Sequence, residues 1–274
     1  MITFPNAKIN LGLDIVERRD DGYHNIETLF MPIPLHDALE IVPTRADARA
    51  TLQCHGRKVD CPMEKNLVYR AWALMHEVHG VPPVEMHLYK HIPDGAGLGG
   101  GSSDATATLM MLNRMFDLAL DDEALAALAV KLGADCPFFV YNRPMMATGI
   151  GDVLTPVDVS LAGMTLLLVA PAVYVSTREA YSGVTPARPA VPLAERIAAP
   201  LPCWQATVKN DFEPTVMAAH PLLAQIKATL LDCGACYAAM SGSGCSVFGL
   251  FDSDKVADNT ARQLGSHATF VMKM

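Results

Sequence analysis

No cluster of lysine or arginine occurs anywhere in this sequence, and its formal net charge is −8. Binding to a phosphate backbone needs a basic patch, so a nucleic-acid partner is disfavoured. An anionic small ligand must instead be met by isolated cations near a motif. Long apolar runs are also missing. The longest, from Met164 to Val175, is too short to span a bilayer and contains Pro171. The opening residues, Met1-Ile2-Thr3-Phe4-Pro5-Asn6-Ala7-Lys8, lack the basic segment and apolar stretch of a secretory leader. These absences give the expectation of a cytoplasmic chain with neither a nucleic-acid nor a membrane partner. No internal repeat is visible.

Metal-binding patterns are equally sparse. Cys233 and Cys236 form a lone C-x-x-C, and Cys54 and Cys61 are poorly spaced to supply a second zinc-ligand pair. The seven cysteines are expected to be reduced and mostly buried thiols. His76 and His79 are three apart rather than four, so a solvated helix face is favoured over a zinc-protease helix. No dedicated metal cage is visible. What is present is a globular composition, 51% hydrophobic and 18% charged over 274 residues. That supports one large domain or two modest ones.

The first part reads as strand-rich. Lys8 to Val16 alternates, and Ile26–Ile33 and Ala38–Val42 continue a sheet, interrupted by Pro32 and Pro34. Lys65 to His79 carries a helical pattern, and Asp121 to Leu132 is a helix capped by Asp121 or Asp122 and ended by Gly133. Beyond Gly163 the order is strand 164–170, helices 212–219 and 222–231, strands 236–240 and 245–251, helix 253–264 and strand 268–272. Leaving out the Pro-rich stretch, that β-α-β-β-α-β order is the split ferredoxin-like unit. The boundary between two domains is expected at 158/159.

The densest chemical signal is Gly95-Ala96-Gly97-Leu98-Gly99-Gly100-Gly101-Ser102-Ser103-Asp104. Glycines let main-chain N–H groups approach a ligand closely, and such an array opening a helix receives phosphate. A Walker A loop is excluded, because Gly101 stands where its lysine belongs. The dinucleotide pattern G-x-G-x-x-G matches formally at Gly95, Gly97 and Gly100. Its usual context is a buried parallel strand. Here Val84, Met86, Leu88 and Ile92 alternate with His87 and His91, which suits a half-exposed strand. The helical pattern that follows (Ala105, Leu109, Leu112, Met115, Phe116) argues against a bare linker.

Three further segments complete a set: Pro5-Asn6-Ala7-Lys8-Ile9-Asn10, Gly133-Ala134-Asp135-Cys136-Pro137 and Ser241-Gly242-Ser243-Gly244-Cys245. With the glycine tract and the Asp21-to-Phe30 segment, they resemble the motifs of the GHMP kinase family from residue 5 to about 251. The resemblance implies an α+β, two-domain fold, with an S5-domain-2-like N-terminal domain (1–158) and a ferredoxin-like C-terminal domain (159–274). It implies transfer of the ATP γ-phosphoryl group to the 2-hydroxyl of 4-diphosphocytidyl-2-C-methyl-D-erythritol, a step of non-mevalonate isoprenoid biosynthesis.

By the same resemblance, Asp135 is the base that takes the hydroxyl proton. Lys8 lies near it and offsets charge. Asn66, Lys90 and Pro93 line the ATP site with Gly95, Ala96, Gly97, Leu98, Gly99, Gly100, Gly101, Ser102, Ser103 and Asp104. Tyr23 and His24 receive the cytosine, Tyr181 completes an aromatic sandwich, and Asn10, Phe30 and Thr177 are further substrate contacts. An aromatic face stacking on a base and a histidine on its polar edge are sensible physics. Mg²⁺ is expected to bridge phosphate oxygens, with its ligands undefined. The implied partner is a small molecule, and the chain is expected to be a monomer or weak homodimer. Asp94 stands where an apolar residue is expected and adds negative charge at the phosphate entrance. The alternatives are another GHMP small-molecule kinase, a non-catalytic nucleotide-binding regulator and, remotely, a dinucleotide oxidoreductase.

Overall fold

The structure is a computed structural model that describes residues 1–45 and 49–274. In chain order it begins with β1 (Ile2–Thr3), β2 (Asn6–Arg18), β3 (His24–His36), β4 (Ala38–Pro43), β5 (Thr51–Gly56), α1 (Leu67–His79) and β6 (Val84–Lys90). Then come α2 (Gly100–Met115), α3 (Asp122–Ala129), α4 (Cys136–Tyr141), β7 (Met145–Thr148), β8 (Val153–Pro156), β9 (Thr165–Ala170) and α5 (Thr177–Ser182). The last part holds α6 (Leu193–Ala198), α7 (Leu201–Thr207), α8 (Glu213–Ala219), α9 (Pro221–Asp232), β10 (Tyr237–Met240), β11 (Val247–Phe251), α10 (Asp254–Gln263) and β12 (Ala268–Lys273). Two compact units result: residues 1–7, 35–94 and 99–143, and residues 8–34, 95–98 and 144–274.

In the first unit a mixed sheet runs in the order β1-β4-β6-β5, with β5 parallel to β6 and β4 antiparallel to it. Val84, Met86 and Leu88 of β6 point into a core shared with Val68, Ala71 and Met75 of α1 and Leu109 and Leu112 of α2. Each fully buried leucine there contributes about 2 kcal/mol. Helix α1 starts where Asn66 accepts the Val68 N–H, and ends at Gly80 in the left-handed region. Asp121 caps α3 through the Ala124 N–H. That helix stops at Ala129, short of the expected Leu132.

The segment Gly133–Pro137 does not close a helix, as its glycine and proline first imply. It opens α4, with Pro137 in the first turn. Proline needs no N–H there and its fixed φ suits a helix start, so Pro137 begins α4 rather than ending α3, which stops at Ala129.

The second unit contains two four-stranded sheets, β2-β3-β7-β8 and β10-β11-β9-β12. In the latter β10 with β11, β11 with β9 and β12 with β9 all pair antiparallel. With α8–α9 and α10 as its crossovers, it has the strand order of the split ferredoxin-like unit. Strand β9 is buried throughout, which explains its unbroken apolar run.

Two expectations are corrected. Strand β3 continues through Pro32 and Pro34. Its register with β7 covers only Thr28 to Phe30, so the prolines fall beyond that ladder and remove no N–H from it. The cysteines are not mostly buried: only Cys136 and Cys245 are, whereas Cys54, Cys61 and Cys203 are exposed. Cys54 and Cys203 sit on solvated parts of a short edge strand and a short helix. No described cysteine is in a disulfide. His76 and His79 do lie on an exposed face of α1.

Candidate active site

In the second unit Lys8, Asn10 and Gly12 share one face of β2 by the two-residue period of a strand. Lys8 is only 3% exposed. A buried ammonium needs partners that replace water. Its Nζ donates to Asn10 Oδ1 at 2.7 Å and lies 4.8 Å from the centroid of the Phe30 ring. The Asn10 Nδ2 donates to Thr28 Oγ1 at 2.9 Å, and that hydroxyl donates to the Gly12 carbonyl at 2.6 Å. Phe30 is thus a buried platform under the ammonium.

The same strand is tied to the glycine tract. The Lys8 N–H donates to Leu98 O at 2.9 Å, and the Asn10 N–H to Ser241 Oγ at 3.2 Å. Ser241 in turn donates to Gly97 O at 2.8 Å, and Ser246 N–H to Ala96 O at 3.2 Å. The serine-glycine turn between β10 and β11 therefore seats the first half of the tract. Gly97 has φ +77°, and a Cβ there would lie 2.0 Å from the Ser241 carbonyl oxygen, so no other residue fits. Asn210, which the sequence did not single out, braces this turn. Buried, it donates to the Met240 and Gly242 carbonyls, both at 2.8 Å. Its only sequence signal is an asparagine just before α8.

An aromatic group lies in the same unit. The His24 and Tyr181 rings stack with centroids 4.7 Å apart and planes 22° apart, and Phe212 meets Tyr181 edge-on at 4.8 Å. Rings that close leave no room for a base between them. Tyr23, at 63% exposure, instead offers an open face from its turn. Burial, then Arg18, holds the His24 imidazole below its ordinary pKa, which favours the neutral ring. Thr177 is exposed at the first turn of α5, the helix that carries Tyr181.

In the first unit α2 opens at Gly99, with φ +69° and no side-chain cap. Its leading N–H groups are therefore available to an anion. Lys90 completes the buried face of β6. Its Nζ donates to Asp104 Oδ2 at 2.7 Å and to Asp37 Oδ2. Burial lowers the lysine pKa, but Asp104 and Asp37 outweigh that and leave it raised. Burial pushes Asp104 up to about 7, with Lys90 offsetting only part. Asp104 Oδ1 is buried without a hydrogen-bond partner among the described residues.

Asp37, also unforeseen, accepts the His91 and Ile92 N–H groups at 2.5 and 2.8 Å and so fixes the chain leading into the glycine tract. A recess of about 130 Å³ is walled by Asn66, Leu67, Leu88, Lys90, Gly101 and Asp104. Asp94 is at its rim and exposed, and Pro93 is buried. Ser102 is half-buried, whereas Ser103 is buried and lines a separate recess beside residues 1–6. Asp135 is half-buried immediately before α4, and its side chain caps no N–H of that helix. Thr106 anchors the turn by donating to Cys136 O at 2.8 Å. Among the described residues no group of three His, Cys, Asp or Glu is arranged to hold a metal.

Residues 66–143 match the family model of the GHMP kinases N terminal domain, and residues 197–268 that of the GHMP kinases C terminal domain. A protein of Parabacteroides distasonis named 4-diphosphocytidyl-2-C-methyl-D-erythritol kinase is 54% identical over 252 residues, 92% of each chain. One of the same name from Bacteroides fragilis is 52% identical over 256 residues, 93% of each chain. A crystal structure titled as 4-(cytidine 5'-diphospho)-2C-methyl-D-erythritol kinase superimposes with TM-score 0.85 at 33% identity, covering 99% of this chain and 98% of the other. The homoserine kinase of Cytophaga hutchinsonii, at TM-score 0.71, 19% identity and 98% and 95% coverage, shares the fold. With both halves matched and relatives of this identity along nearly its whole length, the chain belongs to the GHMP kinase family.

Proposed function

We propose that this chain transfers the γ-phosphoryl group of ATP to the 2-hydroxyl of 4-diphosphocytidyl-2-C-methyl-D-erythritol. The observation that carries the reading is the 54% identity over 92% of the chain to a relative of that name. The homoserine and mevalonate kinases, at 14–19% identity, share only the fold.

Phosphoryl transfer rests on positioning and on compensating negative charge. The triphosphate lies along Gly95 to Asp104, where the uncapped start of α2 supplies main-chain donors. Asn66 and Lys90 belong to the adenosine side, in keeping with the recess that they wall. The alcohol oxygen attacks the γ-phosphorus, the bond to the β-bridging oxygen breaks, and ADP leaves. Asp135 takes the alcohol's proton. Lys8, oriented by Asn10 and Phe30, supplies positive charge to the phosphoryl oxygens as they move. Tyr23 and His24 receive the cytosine, with Tyr181 and Thr177 completing that end.

Mg²⁺, when bound with the nucleotide, neutralises phosphate charge. The partnerless Oδ1 of Asp104 suits such a hard cation as one oxygen ligand. The two domains meet in sequence at 158/159, and the two family-model matches fall on either side. No helix among the described residues is long and apolar enough to cross a membrane. We place the chain in the cytoplasm as a monomer or weak homodimer.

The test is ATP consumption by the whole chain with the cytidyl alcohol, galactose, homoserine and mevalonate in parallel. ADP release with the first alone is expected. Turnover of one of the others in its place overturns the substrate assignment, and none with any of them favours a nucleotide-binding regulator. Asp135→Ala is expected to abolish transfer while ATP still binds; near-normal turnover removes Asp135 from its role.

A further inference from the structure

We propose that Thr28 is a positioning residue: its hydroxyl sets the direction of the Asn10 carboxamide and, through it, the seat of the Lys8 ammonium. The inference rests on the function proposed above, in which Lys8 serves the phosphoryl group.

The argument is one of hydrogen-bond direction. The Gly12 carbonyl oxygen can only accept, so at 2.6 Å the single proton of the Thr28 hydroxyl is committed to it. The lone pairs of Thr28 Oγ1 remain, and they face the Asn10 carboxamide at 2.9 Å. Only an N–H can satisfy them, so the atom turned to Thr28 is Nδ2. A carboxamide is planar, and Oδ1 is then turned the other way, toward Lys8 Nζ at 2.7 Å. An ammonium carries donors only, so that end accepts. The reversed amide would set NH₂ against NH₃⁺ and lone pair against lone pair. One fixed carbonyl therefore dictates the sense of three successive bonds.

The strands supply the geometry. Lys8, Asn10 and Gly12 repeat every second residue on β2, and Thr28 and Phe30 do so on β3. Phe30 fixes the height of the ammonium and Asn10 its lateral position. Thr28 is fully buried, and Lys8 and Asn10 are each 3% exposed, so bulk water does not rewire the chain. Gly12 is part of the device. Its φ is +70°, and a Cβ there would lie 2.6 Å from Leu193 Cδ1. Valine would fill the volume of Thr28 equally well, so the hydroxyl is the part that packing does not explain.

Thr28→Val and Thr28→Ser in the full-length chain test this. The Asn10 side-chain amide is followed by ¹⁵N NMR, its signal identified by its loss in Asn10→Asp. A protected signal is expected in the wild type and Thr28→Ser, and a rapidly exchanging one in Thr28→Val. With the cytidyl alcohol, kcat of Thr28→Val is expected to fall about tenfold, the scale of a misplaced reacting group held by one lost bond. KM for ATP stays unchanged, and Thr28→Ser restores kcat. If Thr28→Val does not fold, Thr28→Ala removes the same hydroxyl and carries the same expectations. The proposal is overturned if the hydroxyl-less variant keeps both the protected signal and wild-type kcat. It is equally overturned if kcat, ATP affinity and thermal midpoint fall together without rescue by serine. A wild type that phosphorylates no alcohol sinks the proposed function instead, and the amide signal still decides whether Thr28 holds Asn10.

Discussion

Lys8 and Lys90 are both buried lysines at strand positions, one in each compact unit, and their surroundings differ in kind. Lys90 is met by two carboxylates, Asp37 and Asp104, which cancel its charge and hold it protonated. Lys8 is met by the carboxamide of Asn10 and the ring of Phe30, neutral groups that orient its ammonium. Burying an ion is costly unless partners replace its hydration. Partners that neutralise make the ion part of the fold. Neutral groups that aim an ion hold its field in a fixed place for a reacting group, which is what charge development in a transition state requires.

The largest expected effect breaks this contrast at Lys8. Lys8→Met keeps the length of the side chain and its contact with Phe30. We expect kcat to fall by about 10³-fold, the scale of losing one transition-state cation or donor, with the urea midpoint little changed. A comparable loss of stability would place Lys8 with Lys90 as a structural ion. The reciprocal change, Lys90→Met, leaves two carboxylates buried together beside an apolar chain. It should cost about 3–5 kcal/mol of unfolding free energy, read as a lower urea midpoint. Lys90→Met at wild-type stability would mean that the Asp37–Lys90–Asp104 cluster holds nothing together.

The contrast also explains what could be read in advance. The half-exposed strand before the glycine tract was legible because Val84, Met86 and Leu88 alternate with polar neighbours. The same parity places Lys90 on the buried face, but charge argues for solvent, and only its partners resolve the conflict. Those partners come from residues 37 and 104, a separation that periodicity does not carry. Asp37, Thr28 and Asn210 escaped notice for one reason: each acts through hydrogen bonds to main chain or to another polar side chain, and none forms part of a dense motif. The glycine tract, by contrast, concentrates its constraint in consecutive residues, of which Gly97 against Ser241 is the tightest. Start and stop signals were ambiguous where they adjoin, as at Gly133–Pro137, because proline serves both.

Tyr23 tests the comparison at the aromatic end of the second unit. Its ring is open, whereas Tyr181 and His24 lie against each other. A base stacking on Tyr23 is worth about 1–3 kcal/mol. Tyr23→Ala should therefore raise KM for the cytidyl substrate about tenfold or more, while KM for ATP is unaffected. An equal rise in both would mean that Tyr23 shapes the site generally and stacks on no base.

The smallest expected effect concerns Asp14, a carboxylate whose cation only partly compensates its burial. Asp14 accepts from Arg196 Nη2, and Arg196 also donates to the Val191 and Thr207 carbonyls. Burial pushes the Asp14 carboxyl up to about 6, with Arg196 lowering it in part and Asp211 and Glu27 adding to the rise. The folded chain therefore binds this proton more tightly than the unfolded chain, whose aspartates titrate near 4. Where the folded state holds more protons, stability falls as pH rises. The contribution of Asp14 to stability should decline between about pH 4 and about pH 6 and be constant above that window. Asp14→Asn cannot titrate, and its amide oxygen can still face Arg196. Subtracting its pH–stability curve from that of the wild type isolates the term. A difference that declines across the window puts Asp14 among ions held by the fold at a net cost. A difference that is flat, or that rises with pH, means Arg196 cancels the carboxylate as fully as the two aspartates cancel Lys90.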